Sequence, residues 1–161
     1  MAGIVSGGQT GVDRAALDAA QAAGLAVGGW CPRGRWAEDG PIDKRYPLQE
    51  ATLARVCQRT LWNIRDSDGT LVLTRDRPRG GTALTARSAA ASRPRLIVDP
   101  SDIAAVRRVN AWLAANRIKW LNVGGPRASE DAQIYPLAFR FVASLIAAAH
   151  PHGRRRLLLQ E

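Results

Sequence analysis

The chain contains 161 residues, of which 46% are apolar, and it carries a formal net charge of +9. This length and composition predict one globular domain of ordinary size with a full hydrophobic core. They exclude a transmembrane protein, because the longest apolar stretch, residues 137–149, is interrupted by Arg140 and is too short to span a bilayer.

Two further features indicate where the protein resides and how it is organised. Met1 leads directly into a strand pattern without a secretory signal, so we expect a cytoplasmic protein with no membrane partner. Cys31 and Cys57 belong to no cysteine or histidine cluster, so we expect neither a disulfide framework nor a metal site. Residues 1–150 are expected to form a single domain, and residues 151–161, a basic and mobile tail.

The positive charge indicates an anionic partner, which is either nucleic acid or a phosphorylated small molecule. Nucleic-acid binding rests on charge alone and requires basic residues on one face, whereas here they are spread along the chain. We therefore expect a small anionic ligand and no nucleic-acid partner.

The first stretch, Ile4 to Arg14, reads as a buried strand, a tight glycine turn and a helix N-terminus. Such junctions bind phosphate, because glycine lets the backbone approach a ligand and the first helical N–H groups lack partners. Thr10 and Asp13 also fit a capping box, so a purely structural turn is the alternative. The candidate ligand-binding residues of this turn are Gly7, Gly8, Gln9, Thr10 and Gly11.

The spacing of apolar residues and the positions of glycine and proline predict the next helices and strands. An alanine-rich helix ends at Gly24, and residues 25–30 read as a second strand leading into an arginine- and tryptophan-rich loop. Residues 37–47 are predicted to be irregular, as a lid or an edge. Apolar spacing predicts a helix from Leu48 to Asn63, with Cys57 on its buried face.

The strand, glycine pair and helix pattern then occurs twice more. A third strand at residues 69–73 precedes a glycine turn and a helix that runs to about Ser92. A fourth strand at 95–99 precedes a helix capped by Ser101, and a fifth at 120–123 precedes a long last helix beginning near Ser129. The candidate binding residues of these two turns are Gly80, Gly81, Thr82, Gly124 and Gly125.

This alternation predicts an α/β three-layer sandwich, with a mostly parallel sheet of about five or more strands and helices on both faces. Ligands bind outside the carboxyl ends of the strands in such sheets. The glycine turns after strands one, three and five must therefore lie along one edge. Three turns on one edge indicate a common binding site for an anion.

Side chains near that edge complete the candidate site. Arginine forks suit phosphate oxygens, although solvated surface arginines are the alternative. Trp30 and Trp36 could stack on a flat heterocycle, with core packing as the alternative for Trp30. Cys31 is either a thiolate facing a metal or an inert buried thiol. The remaining candidate residues are Arg14, Arg33, Arg35, Arg79 and Arg127, together with Trp30 and Cys31.

The chain resembles the putative molybdenum carrier family, part of a Rossmann-like superfamily that also contains nucleotide phosphoribohydrolases and DNA-processing proteins. The resemblance runs from Ile4 to about Ala149 and implies a Rossmann-like fold, a homo-oligomer, and a role in binding molybdenum cofactor, a pterin with a dithiolene and a phosphate. Its motifs are residues 6–18, Gly29–Arg35, Asp39–Ile42, Arg59–Thr60 before Asn63, Asp66–Leu71, Gly80–Thr82 and Asn122–Arg127.

The enzyme alternative is a phosphoribohydrolase acting on nucleoside monophosphates. The motif of those relatives, Gly-Gly-x-Gly-Thr-x-x-Glu, supplies a glutamate for cleavage of the N-glycosidic bond, but here that position holds Arg87 or Thr85. Asp13 or Glu38 could substitute only if folding brings one of them close. We therefore expect a carrier of a phosphorylated heterocycle with no catalytic residues.

Overall fold

The computed structural model of the protein describes residues 1–54 and 56–150, except for the side chain of Val56. The tail predicted at residues 151–161 lies outside the described residues. In chain order the elements are β1 (Gly3–Val5), α1 (Val12–Ala22), β2 (Ala26–Gly28), β3 (Trp30–Cys31), β4 (Trp36–Ala37), β5 (Gly40–Pro41), β6 (Gln49–Glu50), α2 (Val56–Arg65), β7 (Gly69–Leu73), α3 (Gly80–Ser92), β8 (Arg95–Val98), α4 (Ala105–Ala115), β9 (Trp120–Gly124) and α5 (Ile134–Ala149).

Within these described ranges, five parallel strands form the central sheet in the order β2-β1-β9-β7-β8. Ile4 of β1 lies opposite Val27 on one side and Leu121 on the other. Helix α5 packs against α1 and α4, whereas α2 packs against α3. The predicted Rossmann-like α/β sandwich is therefore confirmed. No helix in the described part of the chain has the length and apolarity needed to cross a bilayer.

The main core lies between the sheet and helices α1, α4 and α5. Leu71 of β7 and Phe141 of α5 are fully buried, and so are Ala16 and Ala20 of α1. These small alanine side chains let α1 lie close to the sheet. The helix ends before Gly24, whose φ of 67° is the left-handed conformation expected of a residue that terminates a helix.

The second predicted strand is divided between two sheets. Residues 26–28 join the central sheet, whereas Trp30–Cys31 leaves it after Gly29, whose φ of 133° turns the chain. The prediction of a helix from Leu48 is wrong, because Gln49–Glu50 pairs with Trp30–Cys31 as a parallel strand and α2 begins only at residue 56. Inter-strand hydrogen bonds thus outweigh the local helical periodicity.

The buried face predicted for this helix is wrong at three positions. Cys57 is exposed, and Leu53 and Leu61 retain 51% and 48% of their accessible surface, although Ile64 is buried. Helix α2 contacts α3 and β3 rather than the main core, so only part of its apolar stripe is covered. Residues 37–47, predicted to be irregular, include part of the short antiparallel hairpin of β4 and β5.

Helix α4 begins after Ser101, the serine predicted to cap it, and α5 begins after its predicted start near Ser129. Ser101 donates its hydroxyl to Asp99 at 2.7 Å, and α4 has no side-chain cap. Ser129 donates its hydroxyl to Glu38 at 2.5 Å, so it holds a distant hairpin rather than the start of α5. Tertiary partners therefore decide these helix boundaries.

Candidate functional site

The three glycine turns meet in one cleft at the carboxyl edge of the sheet. The cleft has a volume of about 40 Å³. Each turn supplies part of its wall, and α2 supplies another part from the side. Of the residues predicted from the sequence, the cleft is lined by Gly7, Gln9, Gly81, Thr82, Gly124, Gly125 and Arg127.

Asp13 and Arg59 form the floor of the cleft beside the first turn. Asp13 Oδ2 accepts a hydrogen bond from the Gln9 amide at 3.3 Å and lies 2.8 Å from Arg59 Nη1. A Cβ on Gly7 would lie 1.5 Å from that same nitrogen, so the guanidinium occupies the space above this glycine. The first turn therefore binds a carboxylate of its own chain.

The ion pair leaves two polar atoms without partners. The side chains of Asp13 and Arg59 are only 6% and 13% exposed. Among the described residues, Arg59 Nε is buried without a hydrogen bond, and Asp13 Oδ1 has no hydrogen-bond partner either. Buried polar groups are normally satisfied, so an unpaired donor beside a cleft is a reason to look for a ligand.

The second turn provides an open helix N-terminus. Helix α3 starts at Gly80, and no side chain caps it. A Cβ on Gly81 would meet no atom within 4 Å, so the backbone faces open space. Thr82 is only 5% exposed, and its hydroxyl forms no hydrogen bond with any described residue. These amides and this hydroxyl can donate to an oxyanion.

The third turn fits tightly between the strands and α1. A Cβ on Gly125 would lie 2.2 Å from the carbonyl oxygen of Leu73, and the Val12 amide donates to the Pro126 carbonyl at 3.2 Å. Arg127 follows with its side chain 33% exposed, 4.0 Å from carboxylates of Glu38 and Glu130. The close approach of Gly125 to Leu73 and the hydrogen bond from Val12 to Pro126 fix the end of β9 against β7 and α1.

The hairpin of β4 and β5 is fastened over the first and third turns by Glu38. Its carboxylate accepts hydrogen bonds from the Thr10 hydroxyl, the Ser129 amide at 3.1 Å and the Ser129 hydroxyl at 2.5 Å. Burial opposes ionisation of Glu38, but these bonds and the charge of Arg127 outweigh it and lower its pKa. Gln9 Oε1 accepts the amide of Glu38 at 3.0 Å.

Glu38→Gln is expected to cost about 1–2 kcal/mol of stability at neutral pH, because an amide cannot accept all of these hydrogen bonds. Since the folded pKa of Glu38 is lowered, its contribution is present above the unfolded pKa and is lost as the pH falls through the folded pKa. Urea unfolding at pH 7 and at about pH 3 measures this. Glu50→Gln, at an exposed side chain, is the control, and an equal cost of the two changes at pH 7 would contradict the assignment.

A second, larger cavity adjoins the cleft. Its volume is about 270 Å³, and it shares Thr82 and Glu130 with the cleft. The loop after β7 lines it with arginines, and Arg79 lies here rather than in the glycine cleft. Arg75 in the same loop forms an ion pair with Asp131, in which Nε lies 2.8 Å from Oδ2.

Three of the predicted arginines lie outside both cavities. Arg35 donates to the backbone carbonyls of four residues between 42 and 48 at 2.9–3.0 Å, so its guanidinium organises that loop. Arg14 donates to the Gly8 carbonyl at 3.1 Å and pairs with Asp39. Arg33 is exposed and lines neither cavity.

The predicted aromatic and thiol groups also lie elsewhere. Trp30 packs edge-on against Trp62 with 4.6 Å between ring centroids, and its indole N–H donates to Asp66 at 2.7 Å. Trp36 is 52% exposed. Cys31 is fully buried, and burial raises the pKa of its thiol. Among the described residues, no three His, Cys, Asp or Glu side chains are grouped to hold a metal ion.

Four further predicted residues contribute to the turns without lining the cleft. Gly8 adopts φ 77° against the side chains of Leu48 and Ile42, and Gly11 adopts φ 75° against the Pro126 carbonyl. The Thr10 hydroxyl bridges Glu38 and Ala128, because it donates a hydrogen bond to the Glu38 carboxylate and accepts one from the Ala128 amide. Gly80, with φ 46°, begins α3.

The sequence reading missed several residues that line the cleft. Asp13 lies inside the first motif but is predicted there only as a capping residue or a substitute acid, and Arg59 appears only within the family resemblance. A separation of 46 positions hides their pairing from local patterns. The other lining residues that were not selected as candidates are Thr60, Asn63, Thr85, Asn122, Val123 and Glu130.

Comparisons with known proteins agree on one family. The model of the circularly permutated YpsA SLOG family matches residues 4–146. A solved structure described as the crystal structure of a putative molybdenum carrier protein from Syntrophus aciditrophicus SB is 40% identical, with a TM-score of 0.88 over 91% of this chain and 96% of the other. No curated protein matches this chain.

Proposed function

Because this chain belongs to the circularly permutated YpsA SLOG family, we propose that it binds a phosphorylated heterocyclic ligand at the glycine cleft without turning it over. The observation that carries the proposal is the uncapped N-terminus of α3, where Gly81 and Thr82 present unpaired donors to the cleft. Helix N-termini of this kind favour phosphate oxygens.

The charges around the cleft support an anion held mainly by neutral donors. Asp13 is offset by Arg59, and Glu130 by Arg127. The attraction then comes from backbone N–H groups and the Thr82 hydroxyl. Such fixed dipoles bind a phosphate without requiring an excess of lysine or arginine side chains.

Molybdenum cofactor is one ligand of this class, and the neighbouring structure is described as a putative molybdenum carrier protein. The phosphate of such a cofactor fits the donors of the cleft, whereas Trp30 and Cys31 lie outside it. When bound, the group would supply the metal and dithiolene chemistry. The chain would hold the phosphate through the amides of α3 and through Thr82.

A titration with adenosine monophosphate and inorganic phosphate tests the proposal. The wild type is expected to bind both, and Thr82→Val is expected to weaken binding about tenfold because a buried hydrogen-bond donor is lost. Ser92→Ala, at the other end of α3, is the matched control and is expected to leave affinity unchanged. Absence of binding by the wild type to any nucleoside monophosphate or to phosphate would overturn the proposal.

A second candidate function is hydrolysis of a nucleoside monophosphate, and one observation favours it. Asp13 Oδ1 has no partner among the described residues, and it lies 3.8 Å from where a Cβ on Gly124 would project. A carboxylate there could assist departure of a base. Steady release of free base by the wild type, abolished in Asp13→Asn, would establish this function and refute the carrier.

We also propose that the protein is a homo-oligomer, as the family resemblance implies, and that it is cytoplasmic, as the absence of a secretory-signal pattern indicates. Native mass spectrometry of freshly purified protein reports both the subunit number and any ligand that co-purifies. A monomeric mass at micromolar concentration would contradict the oligomer.

A further inference from the structure

We propose that the larger cavity beside the glycine cleft is a second anion subsite, so that the natural ligand carries two linked phosphate groups, as a nucleoside diphosphate does. This rests on the proposed function, in which the first phosphate occupies the cleft. The second would bind Arg77 and Arg79, on the loop that joins β7 to α3.

The two compartments share a wall and differ in size. Thr82 lines both of them and is only 5% exposed. Its hydroxyl has no hydrogen-bond partner among the described residues. The cleft holds about 40 Å³ and the cavity about 270 Å³. A narrow compartment suits one tetrahedral group, and the adjoining space accommodates a second group bonded to it.

The charges of the cavity leave two arginines available. Arg75 is held by Asp131, and Glu130 is held from the other side by the Arg127 amide at 3.0 Å. By contrast, neither the Arg77 nor the Arg79 guanidinium forms a hydrogen bond or an ion pair within the described part of the chain, and Asp76 is the remaining acidic neighbour. Arginine forks that lack a partner match phosphate oxygens in geometry and charge.

Arg77 and Arg79 lie next to the site proposed for the first phosphate, where they can bind a second phosphate that is bonded to it. Arg79 directly precedes Gly80, the first residue of α3, so its backbone leads into the helix N-terminus that would hold the first phosphate. A ligand anchored there through Thr82 has its next anionic group within the arginine loop. A single phosphate would leave both guanidinium groups unused.

Titrations with inorganic phosphate and pyrophosphate at fixed ionic strength test this inference without assuming a base. The wild type is expected to bind pyrophosphate at least about tenfold more tightly. The variant R77Q/R79Q is expected to lose that advantage while keeping its phosphate affinity within about twofold. The variant R107Q/R108Q, at two exposed positions of α4, removes the same charge and is expected to change neither.

Three results would overturn the inference. Equal affinity of the wild type for the two anions, or equal losses of both in R77Q/R79Q, would remove the second subsite while leaving the proposed function intact. If R107Q/R108Q lost the preference for pyrophosphate to the same extent, that preference would come from the net charge of the protein and not from a second subsite. Binding of neither anion would instead overturn the proposed function, and the inference with it.

Discussion

Asp13→Ala is expected to destabilise the protein by about 3–5 kcal/mol, because removing one partner of a buried ion pair leaves the other charge uncompensated. Arg59 would remain, with only 13% of its side chain exposed and with its Nε already unpaired. The Gln9 amide would also lose its acceptor. Urea unfolding of the two proteins measures the difference.

Two further variants separate this ion pair from ordinary surface charge. Asp39→Ala breaks the pair with Arg14, in which the Asp39 carboxylate is 49% exposed to water, and is expected to cost only about 0–1 kcal/mol. The double variant D13A/R59M removes both buried charges and should be more stable than D13A alone. If D13A costs no more than D39A, the buried pair does not stabilise the floor of the cleft.

Gly125→Ala is expected to cost about 3 kcal/mol or more, because the added methyl group would overlap backbone that cannot move aside. Its Cβ would lie 2.2 Å from the Leu73 carbonyl oxygen and 2.7 Å from Val12 Cγ2. Relief requires β9 to shift against β7 and α1. Thermal or urea unfolding measures the loss, which we expect without any added ligand.

Gly81→Ala is the matched contrast from the neighbouring turn. No atom lies within 4 Å of its ideal Cβ, and alanine is favoured over glycine in a helix, so stability is expected to rise by about 0.5–1 kcal/mol. The same methyl group would project into the cleft and weaken phosphate binding. Unchanged phosphate affinity in Gly81→Ala, combined with binding by the wild type, would place the ligand elsewhere.

The strand and helix pattern was sufficient to predict that the glycine turns share one edge. Parallel strands joined by helices have all their carboxyl ends on the same side, so the meeting of Gly7, Gly81 and Gly124 follows from local patterns. The end of the first helix at Gly24 was predictable in the same way, since a left-handed residue there is a local requirement.

The sequence could not show which donors are free at that edge. The Gln9 amide is occupied by Asp13, and the Ser129 amide by Glu38, because side chains distant in sequence fold back onto the turns. The Gly81 and Thr82 amides at the start of α3 have no such side-chain partner among the described residues, although α1 and α5 also lack a side-chain cap. Hydrogen-bond partners are set by three-dimensional packing, which repeats of glycine do not encode.

The sequence by itself determined the α/β architecture, the alignment of the turns and the family resemblance, because these depend on short periodic patterns and contiguous motifs. Only the tertiary structure decided how the arginines divide. Arg35 supports a loop, Arg59 pairs with a buried carboxylate, and Arg79 lines a separate cavity. Arginines identical in charge and flexibility differ only in the groups that folding places around them.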